Sequence, residues 1–179
     1  MTLVLVLLLA GCAAGNGAGS ATTQEETTAN GTEETTVYKE ETTTLTGEGH
    51  LRRPPVSTLS YGGREVKGML GSYCWGNTCA DSFWPLIPSK KKTLTVPSDS
   101  EMVFRYGGQG PPNTVEAGAY ALKKLQKTGA MRPDSTLKAH GSGAQRTIPA
   151  GLPPGEYVLE VFVREKQGDA TYYFRLKVE

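Results

Sequence analysis

The chain has 179 residues, of which 37% are hydrophobic, with 22 glycines, 11 prolines, three cysteines and a net charge of +1. That length holds one ordinary domain with appendages, and so low an apolar fraction excludes a polytopic membrane protein and a long helical bundle or coiled coil. Turn-rich, mainly β structure is expected, and the odd cysteine count requires one cysteine to stand apart from any disulfide.

Leu3 to Ala10 is an almost continuous run of Leu and Val. It is too short for the ~20 residues a membrane-spanning helix needs and reads as the hydrophobic region of a signal peptide covering residues 1–11. It ends in Leu9-Ala10-Gly11-Cys12, an aliphatic residue and two small residues before a cysteine. This quartet resembles the lipobox of bacterial lipoproteins. The resemblance implies that the Cys12 thiol takes up diacylglycerol, that cleavage makes Cys12 the new amino terminus, and that this terminus is acylated in turn. Two or three acyl chains, at ~0.8 kcal/mol per buried CH2, hold a protein on a bilayer far more firmly than one chain does. The expected location is therefore the extracytoplasmic face of the cell membrane, with the membrane itself as a partner through the lipid. Only Met1 and Thr2 precede the apolar run, where a signal peptide ordinarily opens with Lys or Arg, and a start codon upstream of Met1 would supply that charge.

Residues 12–49 follow as a tether, Ala/Gly-rich and then Thr/Glu-rich, with Glu-Glu-Thr-Thr at 25–28, 33–36 and 40–43. A segment that buries so little apolar surface does not offset its chain entropy, so disorder is expected. A coil of this length spans roughly 35 Å, enough to lift a domain clear of lipid head groups. The threonines also suit an O-glycosylated stalk. Residues 13–49 carry seven glutamates against Lys39, a charge of −6, whereas residues 50–179 carry +7. The near-neutral total hides an acidic tether and a basic domain, and a basic domain outside the membrane is drawn to anionic polymers or lipids.

Residues 50–179 suffice for one core. Strands are expected at Glu65–Leu70, Ser72–Trp75, Thr78–Asp81, Thr93–Val96, Met102–Tyr106, Thr114–Leu122 and Thr136–Ala139. The clearest element is C-terminal: Tyr157, Leu159, Val161 and Val163 alternate along Glu156–Arg164, and Tyr172, Phe174, Leu176 and Val178 along Ala170–Val178. Period two in both segments predicts an antiparallel hairpin around Lys166-Gln167-Gly168-Asp169, with Arg175 and Lys177 on a solvated face. Ala117–Lys127 reads as a strand passing into a short helical turn. Short strands punctuated by Gly and Pro predict an antiparallel β-sandwich. Leu152-Pro153-Pro154-Gly155-Glu156-Tyr157 resembles the approach to the penultimate strand of immunoglobulin-like domains, which implies that the Tyr157 hydroxyl ties back to the preceding corner.

In Cys74-Trp75-Gly76-Asn77-Thr78-Cys79, Gly-Asn suits a two-residue hairpin loop. Trp75 and Thr78 then close the turn, and Cys74 and Cys79 face each other as a non-hydrogen-bonded pair about 4.5 Å apart at Cα, within reach of a disulfide. The spacing is wrong for a redox Cys-x-x-Cys, and a metal would need ligands beyond His50 and His140. Gly71-Ser72-Tyr73-Cys74-Trp75 resembles a motif in lipoproteins of Gram-positive-type bacteria, a resemblance that brings no established activity.

Tyr73, Trp75 and Trp84 are candidates for an aromatic ligand platform, against the plainer role of core packing. Ser89-Lys90-Lys91-Lys92 reads as an exposed loop, and Lys90, Lys91 and Lys92 are candidates for contact with teichoic acid or phospholipid phosphates. No Gly-x-Ser-x-Gly elbow, phosphate loop, dinucleotide fingerprint or His-Glu-x-x-His is present. No catalytic residue, metal, cofactor or nucleic-acid partner is expected. The reading is a lipid-anchored, non-enzymatic module for a protein or cell-envelope polymer; the alternative is a small cell-envelope hydrolase or redox helper.

Overall fold

The computed structural model describes residues 53–82 and 85–179. The expected signal peptide, Cys12, the expected tether, His50 and Trp84 lie outside the described residues. Among those described, no helix is long and apolar enough to cross a membrane.

The domain is a β-sandwich of two sheets. The smaller, four-stranded sheet runs in the order β2 (Arg64–Lys67), β1 (Thr58–Tyr61), β6 (Glu101–Arg105), β9 (Gln145–Pro149). The larger has seven strands, with β4 (Thr78–Ala80), β3 (Met69–Trp75), β11 (Gly168–Val178), β10 (Gly155–Glu165), β7 (Thr114–Ala121) and β8 (Ser135–Leu137) in spatial order. Its remaining strand, β5 (Thr93–Val96), lies parallel to the end of β11, and every other strand pair is antiparallel.

The predicted C-terminal hairpin is the spine of the larger sheet. It pairs from Gly155↔Val178 through Glu165↔Gly168, so the strands run closer to the turn than periodicity alone indicated. Tyr157 sits at its start and donates its hydroxyl to Pro153 O at 2.9 Å, tying the corner as expected. Period two sends Leu159, Val161, Val163, Tyr172, Phe174 and Leu176 inward, where they meet Leu59, Met102, Phe104 and Ile148 of the smaller sheet. The Phe104 ring lies between the layers, edge-on to Phe174 with centroids 6.2 Å apart and tilted against Tyr172 at 6.4 Å.

Three features differ from the sequence reading. Glu65–Leu70 is not one strand: the chain breaks at Gly68, leaving the smaller sheet as β2 and joining the larger as β3. A Cβ at Gly68 would stand 2.8 Å from the Phe174 ring, so a side chain there would be driven into the core at the crossing point. Strands β1 and β9 were not expected. The sequence marked the first by Gly62-Gly63, whose φ of +56° and +79° suit the tight turn joining β1 to β2. Strand β9 follows a glycine-rich loop and owes its place to pairing with β6, from Glu101↔Pro149 to Arg105↔Gln145.

A second apolar cluster lies on the outer face of the larger sheet. The helix α1 (Leu122–Thr128) continues from β7 as expected and ends at Gly129, in the left-handed region at φ +58°. Leu122 and Leu125 of this helix cover Tyr120, Val158 and Tyr173. The helix thereby shields one end of the outer face and carries Lys123 to that end.

Candidate functional site

The hairpin of β3 and β4 has the predicted register, with Trp75↔Thr78 and Cys74↔Cys79, and the two cysteines form a disulfide across a Cα separation of 4.1 Å. Gly76, at φ +56°, supplies the backbone conformation the turn requires. Alternation along β3 places Cys74 on the exposed face and Tyr73 and Trp75 on the other. That other face is the core: the two residues are 8% and 1% exposed. Their rings are packed between the sheets rather than presented as a ligand platform, because β3 is paired on both sides and roofed by the smaller sheet.

Lys90, Lys91 and Lys92 form an exposed 3-10 turn. Its geometry is local: Ser89 Oγ accepts from Lys91 N, and Thr93 Oγ1 donates to Lys90 O at 2.7 Å. Its position is not local. Thr93 opens β5, which pairs in parallel with β11 as Thr93↔Arg175, Leu94↔Leu176 and Thr95↔Lys177. The lysine turn is thereby set beside the two cations at the end of β11.

Arg175 and Lys177, though not the lysine turn itself, line an open cleft of about 630 Å³ between α1, the start of β10 and the end of β11. Lys123 and Gln126 come from the helix, Pro154 and Glu156 from the approach to β10, and Arg175 and Lys177 from β11. The Arg175 side chain is only 12% exposed and its Nη2 donates to Glu156 Oε2 at 2.7 Å. Among the described residues, its buried Nε has no hydrogen-bond partner. Glu156 is held below the usual carboxylate range, first by the hydrogen bond from Arg175, with the charges of Arg175, Lys90 and Lys177 adding to it. Lys177 donates to Glu179 Oε1 at 2.6 Å, which raises its own pKa. The corner is thus a basic cleft with one carboxylate inside it.

Sequence reasoning singled out the lysine turn and noted Arg175 and Lys177 as solvent-facing, but did not join them, nor find Lys123 or Glu156. The missing signal was the parallel pairing of β5 with β11, which no local pattern announces.

Two further carboxylates have structural partners. Ser72 Oγ donates to Asp81 Oδ1 at 2.7 Å, and Asp134 accepts from Lys124 and from the Ala121 amide. On the outer face Tyr120 donates to Glu160 Oε2 at 3.1 Å, and burial, followed by the Glu160 charge, pushes both Tyr120 and Tyr173 above the usual phenol range. His140 bridges Thr147 through backbone hydrogen bonds in both directions. Among the described residues, no group of three or more His, Cys, Asp or Glu is arranged to hold a metal ion. No protein family, curated protein or solved structure matches the chain.

Proposed function

We propose that this chain is a lipid-anchored binding module on the extracytoplasmic face of a cell membrane, whose basic cleft receives an anionic polymer of the cell envelope, without catalysis. The single observation that carries the binding half of this reading is the gathering of Lys90–Lys92 beside Arg175 and Lys177 by the parallel β5–β11 pairing. The anchoring half is supported by Leu9-Ala10-Gly11-Cys12 after an apolar run, and by an acidic spacer ahead of a basic domain. The basic cleft favours a polymer over a generic protein partner because several cations meet in one concave place, where their fields sum.

The test has two arms. Cys12→Ser leaves the chain unprocessed or soluble, read by fractionation; a variant as firmly membrane-bound as wild type refutes the anchor. Purified cell-wall material retains the protein at low ionic strength and releases it as salt rises, because screening shortens the reach of exposed charges to about 10 Å at 0.1 M. No retention at low salt refutes the polymer.

A further inference from the structure

Resting on that reading, we propose that the cleft binds the phosphodiester groups of a polyol-phosphate chain, with the Arg175 guanidinium as the central anchor and Glu156 as a built-in competitor that the ligand displaces. Arg175 lies deep for a cation, at 12% side-chain exposure, and a buried charge requires pairing. It makes a single bond to Glu156, through Nη2, and its Nε has no partner among the described residues. A guanidinium offers a planar fork of five N–H donors, and a phosphate diester with two free oxygens satisfies two of them at once. The present pairing leaves that capacity unused.

The flanking cations indicate a chain rather than a single anion. Across the larger sheet the order at this end is β7, β10, β11, β5. Lys123 emerges just beyond β7 and Lys90–Lys92 just before β5, so cations stand on both sides of Arg175. Three strand spacings separate those rims, roughly 14 Å at ~4.8 Å each. A polymer that enters the cleft at Lys123 and runs on past Arg175 to the lysine turn beside it reaches all three positions, whereas one small anion reaches only one of them. Glu156 stands in the path, and an entering phosphate must take the guanidinium from it. The carboxylate thereby sets a threshold that polyvalent ligands cross more readily than monovalent ones.

The experiment measures binding of the purified full-length chain to poly(glycerol phosphate) at low salt. Inorganic phosphate, polyglutamate and vesicles with and without anionic phospholipid are the comparison probes. Wild type binds poly(glycerol phosphate) most tightly. Arg175→Gln weakens that binding about tenfold or more, as loss of charged hydrogen bonds does. Arg175→Lys restores only part of it, since an ammonium lacks the fork. Glu156→Gln tightens binding about threefold to tenfold, the effect of removing one nearby competing charge. That gain does not arise from misfolding, so it keeps the test sound if the Arg175 variants fold poorly. Binding that is unchanged in both Arg175→Gln and Glu156→Gln overturns the anchor and leaves the polymer reading standing. Equal binding of polyglutamate overturns the phosphate assignment, and preference for anionic vesicles moves the phosphate to a lipid headgroup. Failure of wild type to bind any of these probes removes the polymer reading itself.

Discussion

Replacing Gly168 by alanine tests how β3 is held to the rest of the sheet. Gly168 opens β11 opposite Trp75 at φ +152°, and a Cβ there would lie 1.9 Å from the Cys74 carbonyl oxygen and 2.9 Å from its carbon. Real Cβ contacts stay beyond 3.0 Å, and the obstacle is backbone, so the strands must part by roughly 1 Å. The pairs affected are Gly168↔Trp75, Asp169↔Cys74 and Ala170↔Tyr73, together with the bond from Gly76 N to Gln167 O. Losing one or two ladder hydrogen bonds at ~1 kcal/mol each, with part of the packing of Trp75, destabilises the domain by about 2–4 kcal/mol.

Gly63→Ala is the internal control: its φ is +79° but nothing lies within 4 Å of the new Cβ. It incurs only left-handed strain of about 1–2 kcal/mol, partly offset by ~0.4–1 kcal/mol from the reduced freedom of the unfolded chain. Urea unfolding read by linear extrapolation separates the two, and the thermal midpoint of Gly168→Ala falls by about 10 °C. A Gly168→Ala variant within about 0.5 kcal/mol of Gly63→Ala would show that the close approach to Cys74 does not hold β3 in place.

The Cys74→Ser, Cys79→Ser double variant should lose about 2 kcal/mol, the chain-entropy value for so small a loop, because both residues are exposed and no core packing is removed. Reductant on wild type should reproduce that shift in the urea midpoint; a loss beyond about 4 kcal/mol in either case refutes a simple staple. Asp134 is held below the usual carboxylate range, first by the hydrogen bond from Lys124 and then by the Ala121 amide. Its folded pKa lies below its unfolded value of about 3.9, so its contribution is fully present above that unfolded value and is lost as pH falls through the folded pKa. Stability of Asp134→Asn against pH should therefore run closer to level than wild type in the acid range. The two curves should differ by less than about 1 kcal/mol, as for other exposed pairs, and parallel curves refute the assignment.

The cysteines illustrate how far local pattern reaches. A register of six residues around Gly76-Asn77 was enough to pair Cys74 with Cys79, because a two-residue turn leaves one choice of facing residues. The hairpin of β10 and β11 was legible from the period of two along both strands, and the Tyr157 hydroxyl ties its corner as the resemblance to immunoglobulin-like domains implied. The aromatic pair beside the disulfide shows the limit. Alternation placed Tyr73 and Trp75 opposite Cys74 but did not reveal which face would be covered; the smaller sheet settled that by packing over them.

The chain's own order of residues thus determined the strand-rich class, the disulfide, the C-terminal hairpin, and the separation of an acidic leading segment from a basic domain. Each rests on contacts near in sequence or on composition. The break at Gly68, the recruitment of β9 and the parallel docking of β5 on β11 depend on partners far along the chain, where many registers satisfy the same period of two. The basic cleft belongs to this second group. Arg175 is an ordinary solvent-face arginine in the sequence, and takes its largely buried, paired place only where the fold sets Glu156 against it, Lys123 in the same cleft and the lysine turn alongside β11.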